Sequence, residues 1–190
     1  MEHADFRPVR ESKTTITELM IPSYANFGGK VHGGILLSLM DKVAYACASK
    51  HAGTYCVTAS IDSVDFLAPV EVGELVSMKA SVNYVGHTSL VVGIRVASEN
   101  VKTRVVKHTN TSYFTMVAFD DDHKPAKVPG LILETRDEVR RFVETMKRRE
   151  LSKQNRKTVN SIKKPMQLES YNELLKTERC LVKTTGEHMG

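Results

Sequence analysis

The sequence predicts an α+β protein in which a curved antiparallel sheet wraps around one long central helix. Two observations lead to this prediction. A glycine-led segment at residues 33–52 shows apolar residues at helical spacing, and four strand-like runs separated by turn residues follow it. A shorter β-prone run, residues 13–21, precedes it. Because consecutive strands joined by short turns pair antiparallel, one sheet around one helix is the economical arrangement.

The central helix is predicted to begin at Gly33 or Gly34 and to stop at Gly53, a residue that suits a helix C-terminus. A helix of this length spans roughly 30 Å. Apolar residues cover most of its girth, so other elements must surround it. The main stripe and its flanks contain Ile35, Leu36, Leu39, Met40, Val43, Ala44, Ala46 and Cys47.

The four runs after the helix alternate apolar and polar residues, as half-buried strands do. The first is predicted to continue until Pro69. Segments between the runs carry the glycine, asparagine and serine residues typical of hairpin connections. The runs are residues 55–70, 73–86, 88–101 and 103–120.

Composition places the chain among ordinary soluble globular proteins. Its 190 residues are 41% hydrophobic and 26% charged, which suits one domain with a tail. No apolar run approaches the roughly 18–20 residues of a membrane span, and the first residues lack the core of a signal peptide, so we expect a cytoplasmic protein. The spacing of the three cysteines indicates neither a disulfide framework nor a metal site.

The net charge of +5 is concentrated near the C-terminus, between residues 136 and 164. Such a run is typical of a solvated helix face or a flexible end, or it attracts an anionic ligand. No nucleic-acid-binding motif accompanies it, so no nucleic-acid partner is expected.

Three regions follow from this pattern. Residues 1–132 form the main domain, residues 133–151 an amphipathic helix, and residues 152–190 a basic, flexible tail with a possible short helix at 166–182. The amphipathic helix is expected to pack on the body or on a neighbouring subunit. Its apolar residues are Val139, Phe142, Val143 and Met146.

Four segments in this order resemble the hotdog-fold acyl-CoA thioesterases, in particular their cytosolic acyl-CoA hydrolase branch. They are NFGGKVHGGILLSLMD, SVDFLAPVEVGE, YVGHTSLVV and TMVAFDDDHKPAKVP, within residues 12–132. The resemblance implies a hotdog fold and hydrolysis of fatty acyl-CoA to a free fatty acid and CoA. It also implies a homodimer as the minimum unit, with a trimer of dimers expected, because the asparagine and aspartate of one site come from different subunits in this family.

Asp41 is the acid that interrupts the apolar helix. At about two turns from the helix start it shares a face with Ser38 and Tyr45, away from the most apolar stripe. A carboxylate buried there without a partner would cost several kcal/mol, so it requires polar neighbours or a hydrated pocket. Either it pairs with Lys42 or with a basic residue of a strand, or it is catalytic.

The resemblance favours the catalytic alternative. The amides of Gly33 and Gly34 at the helix start suit a developing oxyanion. Asp41 would then act as general base toward water or attack the thioester directly, and Asn26 would orient the water or the thioester. For Asn26, an ordinary turn residue before glycine is the structural alternative.

Further residues are candidates for contact with the substrate. His32 is expected to shape the helix start or to hydrogen-bond there, and the resemblance places Gly86, His87, Thr88 and Ser89 near bound CoA. No cofactor and no metal are expected, because CoA enters only as part of the substrate.

Two rival functions remain open at this stage. One is a noncatalytic acyl-CoA sensor, since a fold does not fix a function. The other is a hydratase of the same fold, but such proteins usually carry a histidine where this chain has Asn26, and a neutral amide is no acid–base partner. The presence of Asp41 favours hydrolysis, whereas the acyl chain length is not determined.

Overall fold

The computed structural model describes residues 5–162, 174–175 and 178–180. Most of the possible short helix at 166–182 therefore lies outside the described residues. The chain divides into two compact units, with the division after Arg148. The first unit contains the sheet and the central helix. In chain order the elements are β1 (Phe6–Pro8), α1 (Val9–Ser12), β2 (Thr14–Leu19), a 3-10 turn (Pro22–Tyr24), α2 (Gly33–Ala52), β3 (Tyr55–Ile61), β4 (Leu75–Val85), β5 (Ser89–Glu99), β6 (Val106–Phe119), β7 (Gly130–Ile132) and α3 (Arg136–Ile162).

Five strands form one antiparallel sheet in the order β2-β4-β5-β6-β3. One face of this curled sheet packs on α2, which confirms the predicted α+β hotdog architecture. Alternation along β4 shows the two faces: Val76, Met78, Ala80 and Val82 belong to the core around α2, while the residues between them point to the opposite face. The edges of the sheet are β2 and β3.

The central helix has the predicted bounds. His32 caps its N-terminus by accepting a hydrogen bond from the Gly34 amide at 3.0 Å. Gly53 ends it with a φ of 74°, a left-handed conformation that glycine adopts without steric cost. Most of the predicted apolar stripe is buried. The buried residues are Leu36, Leu39, Met40, Val43, Ala44, Cys47, Ala48, His51 and Ala52.

The first strand after the helix is shorter than predicted. It ends at Ile61 rather than near Pro69, and the following segment has no regular structure as far as Val70. The Asp62 and Leu67 amides donate to the carbonyls of Tyr113 and Thr109 on β6. Lys107 Nζ, also on β6, donates to the Pro69 carbonyl at 3.1 Å. Two aspartates and a proline within nine residues are poor strand formers, and this outweighs the apparent alternation.

The short parallel pair of β1 and β7 was not predicted, because three-residue strands carry no periodicity. Helix α3 is longer than predicted and reaches Ile162 instead of residue 151. No proline or glycine occurs from residue 136 to 164, and Pro165 is the first helix breaker in the sequence.

A capping box starts α3. The Thr135 hydroxyl accepts from the Glu138 amide, and the Glu138 carboxylate accepts from the Thr135 amide, each at 3.2 Å. Further along, Phe142 stacks against Tyr84 with ring centroids 5.1 Å apart. The other apolar residues predicted for a packing face, Val139, Val143 and Met146, are exposed on this chain. No helix in the described ranges is long and apolar enough to cross a membrane.

Candidate active site

Asp41 lies on the exposed side of α2, where the helix faces β3. The hydroxyl of Thr58 donates a hydrogen bond of 2.5 Å to Asp41 Oδ1. This neutral hydroxyl is the polar neighbour that the sequence analysis required for Asp41. None of the ion pairs among the described residues includes Asp41, so within one chain it does not pair with Lys42 or with a basic residue of a strand.

The Thr58 hydroxyl also lies 3.3 Å from the sulfur of Met116. A hydroxyl has one proton to donate, and an anionic oxygen is the stronger acceptor, so the proton goes to Asp41. Asp41 Oδ2 has no partner among the described residues. The carboxylate is thus oriented through one oxygen and available through the other.

A cavity of about 330 Å³ opens beside this pair. Tyr45 and Tyr55 form part of its wall, with ring centroids 6.1 Å apart. Its mixture of apolar walls and few polar groups is typical of small-molecule sites. The lining residues are Asp41, Lys42, Tyr45, Tyr55, Cys56, Val57, Thr58 and Met116.

The two buried cysteines, of which Cys56 lines the cavity, are poor nucleophiles. Burial raises the pKa of Cys47 to about 12, and burial likewise raises the pKa of Cys56. Both thiols stay protonated at neutral pH, whereas the thiolate is the reactive form. Cys47 therefore acts in packing, as the sequence indicated. Among the residues that the structure describes, no cluster of three or more His, Cys, Asp or Glu side chains is placed to hold a metal ion.

At the start of α2 the two candidate oxyanion donors differ. The Gly34 amide already donates to His32 Nδ1, whereas the Gly33 amide has no acceptor within the described part of the chain. The Phe66 ring lies against Gly33, since a Cβ there would be 3.4 Å from it. The prediction that both amides bind the carbonyl oxygen thus fits Gly33 directly, and Gly34 only if it gives up its bond to His32.

Asn26 makes loop-forming hydrogen bonds through one side-chain atom only. Its side-chain oxygen accepts hydrogen bonds from the amides of Gly28 at 2.9 Å and Lys30 at 3.2 Å, as a loop-forming asparagine does. Its Nδ2 group has no acceptor in the described residues. The oxygen therefore fixes the side chain while the nitrogen keeps donors for a ligand.

One chain does not bring these groups together. Asp41 follows Gly33 by eight residues, which corresponds to about 12 Å along the helix axis. That distance exceeds the reach of hydrogen bonds to a single thioester group. Neither Asn26 nor Gly33 lines the cavity at Asp41.

The predicted CoA-contacting segment forms the hairpin turn between β4 and β5. The Gly86 amide donates to the Ser89 carbonyl at 2.6 Å. The carbonyls of Thr88 and His87 accept hydrogen bonds from the amides of Ala118 and Val128, which hold the turn against the end of β6 and the segment that follows it. None of the four predicted residues lines the cavity at Asp41.

Sequence reasoning missed Thr58. A threonine in a strand is common because β-branched residues favour strands. Its pairing with Asp41 depends on the packing of β3 against α2, which no local pattern reports.

Comparisons with known proteins place the chain among the thioesterases. The family model described as Thioesterase superfamily matches residues 28–105. Protein VdlD of Helicobacter pylori is 44% identical over 151 residues, covering 78% of this chain and 86% of that protein. A Bacillus subtilis relative described as the uncharacterized acyl-CoA thioester hydrolase YkhA is 36% identical over 139 residues, covering 73% and 81%.

Solved structures give the same result. An apo-hexameric acyl-CoA thioesterase matches with a TM-score of 0.77 and 38% identity, over 79% of this chain and 96% of that one. An acyl-CoA hydrolase of Staphylococcus aureus, in complex with butyryl coenzyme A, coenzyme A and coenzyme A disulfide, matches with a TM-score of 0.75 and 31% identity, over 90% and 99%. The chain belongs to the thioesterase superfamily, with the hotdog fold of the acyl-CoA hydrolases.

The Staphylococcus aureus enzyme has also been solved as three alanine variants, of an asparagine, an aspartate and a threonine. In that enzyme the aspartate follows the asparagine by 15 residues, and the threonine follows the aspartate by 17.

Proposed function

We propose that this protein hydrolyses acyl-CoA thioesters to a free fatty acid and CoA, with Asp41 as the central catalytic group. The observation that carries the proposal is the carboxylate of Asp41, oriented by Thr58 at the mouth of a cavity. A carboxylate that is held through one oxygen and open at the other suits base or nucleophile chemistry.

The spacing of polar residues supports the same assignment. Asp41 follows Asn26 by 15 residues and Thr58 follows Asp41 by 17, the intervals found in the Staphylococcus aureus enzyme. Of these three residues, Asn26 and Asp41 were expected from the sequence. Thr58 joins the proposed site on the basis of its contact with Asp41.

In the proposed reaction the oxygen of water bonds to the thioester carbonyl carbon, the carbon–sulfur bond breaks, and the CoA sulfur leaves with a proton. Asp41 takes the proton from water, or attacks the carbonyl itself and is released by water. The Gly33 amide and the Asn26 Nδ2 group stabilise negative charge on the carbonyl oxygen. No metal or cofactor takes part, since CoA belongs to the substrate and product.

The complete site requires two subunits. Within one chain the helix start and Asp41 are too far apart, so we assign Asp41 of one protomer and Asn26 of the partner subunit to one thioester. The free edge of β3 carries Thr58 and is flanked by exposed Tyr55 and Ile61, which suits pairing with a second copy. A homodimer is then the minimum unit. The hexameric relative supports a trimer of dimers.

We expect the enzyme to act in the cytoplasm, in line with a rat relative described as a cytosolic acyl coenzyme A thioester hydrolase. That relative is 32% identical over 138 residues, which is 36% of its own length. Neither a sensor nor a hydratase is favoured by a specific observation, because Asp41 is present and the loop position holds the neutral amide of Asn26.

The test is thiol release from short, medium and long acyl-CoAs by wild type, Asp41→Asn and the control Asp121→Asn, an exposed acid outside the cavity. Asp41→Asn should lower kcat by about 100-fold or more because the amide cannot accept the proton. The control should leave kcat unchanged. Release by Asp41→Asn near the wild-type rate would remove this mechanism, and tight binding without release by wild type for any chain length would make the protein a sensor.

A further inference from the structure

A second, larger cavity of about 550 Å³ lies on the face of the sheet opposite to α2. Its floor comes from outward-facing residues of β4, β5 and β6, and one wall is the first part of α3. It shares no residue with the cavity at Asp41. We call it the outer groove.

Positive charge dominates the outer groove. Its lining contains five Lys or Arg side chains and one carboxylate, that of Glu144. Three of the five cations already have acidic partners. These pairs are Lys13 with Glu138 at 2.9 Å, Arg140 with Glu144 at 2.7 Å and Arg141 with Asp137 at 2.8 Å.

The two remaining cations, Lys79 and Arg95, are direct cross-strand partners on β4 and β5. Neither has a carboxylate partner among the described residues. Like charges directly opposite each other in a sheet repel, and sheets ordinarily place opposite charges at such positions. The arrangement therefore gains stability when an anion lies between these two side chains.

The groove also offers a neutral hydrogen-bond donor. Asn83 lines it and is 6% exposed, and its Oδ1 accepts from the Ser81 hydroxyl at 2.9 Å. Its Nδ2 group has no acceptor within the described part of the chain. The side chain fits only because residue 93 is glycine, since a Cβ there would lie 2.1 Å from Nδ2. The floor thus presents a nearly buried N–H donor that is available to a ligand.

At the margin of the groove, the guanidinium of Arg148 lies over the ring of Tyr113, 4.5 Å from its centroid. Tyr113 belongs to the lining, so this contact holds a further positive charge beside the cavity.

We propose that the outer groove binds a small anion carrying two or more phosphate groups. Arg95 supplies the planar fork that matches phosphate oxygens, Lys79 a point charge and Asn83 a neutral donor. The volume suits a ligand of nucleotide size. The phosphates belong either to the nucleotide end of CoA or to a separate phosphorylated metabolite, and the experiment distinguishes these sources. The binding measurement that follows does not depend on the proposed hydrolysis.

The test is isothermal titration of the full-length protein with inorganic tripolyphosphate and with adenosine 3′,5′-bisphosphate, which represents the nucleotide end of CoA. Sulfate at equal ionic strength is the reference for non-specific screening. Arg95→Gln and Lys79→Gln should each weaken binding by about tenfold or more, because each removes charged hydrogen bonds. Lys102→Gln, which removes a charge from the β5–β6 loop outside the groove, and Asp41→Asn should bind as wild type.

Tighter binding of the bisphosphate assigns the groove to CoA, and tighter binding of tripolyphosphate assigns it to a separate metabolite. Equal affinity of wild type, Arg95→Gln and Lys79→Gln would overturn the proposal, as would a lack of saturable binding beyond the sulfate reference.

Thermal denaturation tests anion binding by Lys79 and Arg95 independently of the titration. Without phosphate and at low salt, Arg95→Gln should melt at a higher temperature than wild type because the repulsion from Lys79 is gone. With tripolyphosphate, wild type should be stabilised and Arg95→Gln much less so. Two results would contradict the proposal. They are a lower melting temperature of Arg95→Gln than of wild type without phosphate, and equal stabilisation of both proteins by tripolyphosphate.

Discussion

At the scale of single residues, the contact between Asp41 and Thr58 explains how an apolar helix carries an acid. The carboxylate is on the exposed side of α2, so its charge remains partly hydrated, and a hydroxyl fixes one oxygen without neutralising it. A lysine or arginine at the same place would hold the carboxylate in an ion pair and reduce its basicity. The neutral partner is therefore compatible with the proposed chemistry.

Replacement of Thr58 tests this role. Thr58→Val keeps the shape of the side chain but loses the hydrogen bond to Asp41, so kcat should fall by about tenfold to 100-fold, as expected when a positioned catalytic group loses its orientation. Thr58→Ser should restore most of the rate because it retains the hydroxyl. Thiol-release kinetics measure both, with Thr17→Val on an exposed position of β2 as control. Full activity of Thr58→Val would show that the hydroxyl is dispensable.

Glu74 predicts a dependence of stability on pH. It is 3% exposed and accepts hydrogen bonds from Lys107 Nζ at 2.9 Å and from the Glu71 amide at 3.1 Å. Burial on its own raises the pKa of Glu74, but these hydrogen bonds outweigh it, so the net pKa is lowered. A lowered folded-state pKa stabilises the fold above the unfolded value of about 4.3, and this stability is lost as the pH falls through the folded-state pKa.

Glu74→Gln should therefore lower the free energy of unfolding by about 2 kcal/mol at pH 7, since it leaves Lys107 without its anion. The difference from wild type should shrink as the pH falls below the unfolded value and through the lowered folded-state pKa, where the wild-type carboxyl becomes protonated. Urea denaturation over a series of pH values from 7 downward measures it. Glu99→Gln, which breaks the more exposed pair with Arg104, is the control and should change little. A difference independent of pH would refute the assignment.

At the scale of elements, the ends of α2 are fixed by contacts from distant parts of the chain. The Arg7 guanidinium on β1 donates to the carbonyl of His51 at 2.9 Å, near the negative end of the helix dipole. Gly53 follows in the left-handed conformation, and a Cβ there would lie 3.2 Å from Arg7 Nη1. The C-terminus of the helix depends on both the glycine and this arginine.

Gly53→Ala should lower the free energy of unfolding by about 1 kcal/mol, because alanine is strained at positive φ. Gly53→Asn should cost less, since asparagine adopts this conformation more readily. Urea denaturation at one fixed protein concentration gives both values, which matters because oligomers gain stability with concentration. An alanine variant as stable as wild type would mean that the helix end rearranges.

At the scale of the whole molecule, the geometry of α2 separates the candidate oxyanion donors from the acid. About 12 Å of helix lies between Gly33 and Asp41, so in the proposed mechanism a single chain presents two incomplete halves of one site. The edge strand β3 places Thr58 where a second copy can approach. Assembly is therefore part of the proposed catalysis.

A subunit-mixing experiment tests this assembly. Asn26→Ala and Asp41→Ala should each be inactive, but equal amounts refolded together should recover about one quarter of wild-type activity, since half of the dimers are mixed and each contains one intact site. Thiol release before and after mixing is the measurement. Each variant refolded separately, without the other, serves as the control. No recovery, with mixed dimers shown by distinct affinity tags, would place Asn26 and Asp41 of one site on the same chain.

The sequence by itself determined the central helix from Gly33 to Ala52 and the succession of antiparallel strands. These features depend on local periodicity, helix caps and turn residues, which can be read along the chain. Asp41 was also accessible from the sequence, because a charge inside an apolar helix demands an explanation. The irregular segment after Ile61 and the continuation of α3 to Ile162 were not anticipated, as weak strand formers and an unbroken polar helix give little local signal.

Only the tertiary structure decided which groups meet. Thr58 reaches Asp41 because β3 packs beside α2, and Lys79 faces Arg95 because β4 and β5 pair in one register. Both contacts join residues that are 16 or more positions apart in the sequence, so helical or strand periodicity cannot predict them. The physical reason is that periodicity reports which face of an element is buried, whereas the partner across that face is set by how the elements pack.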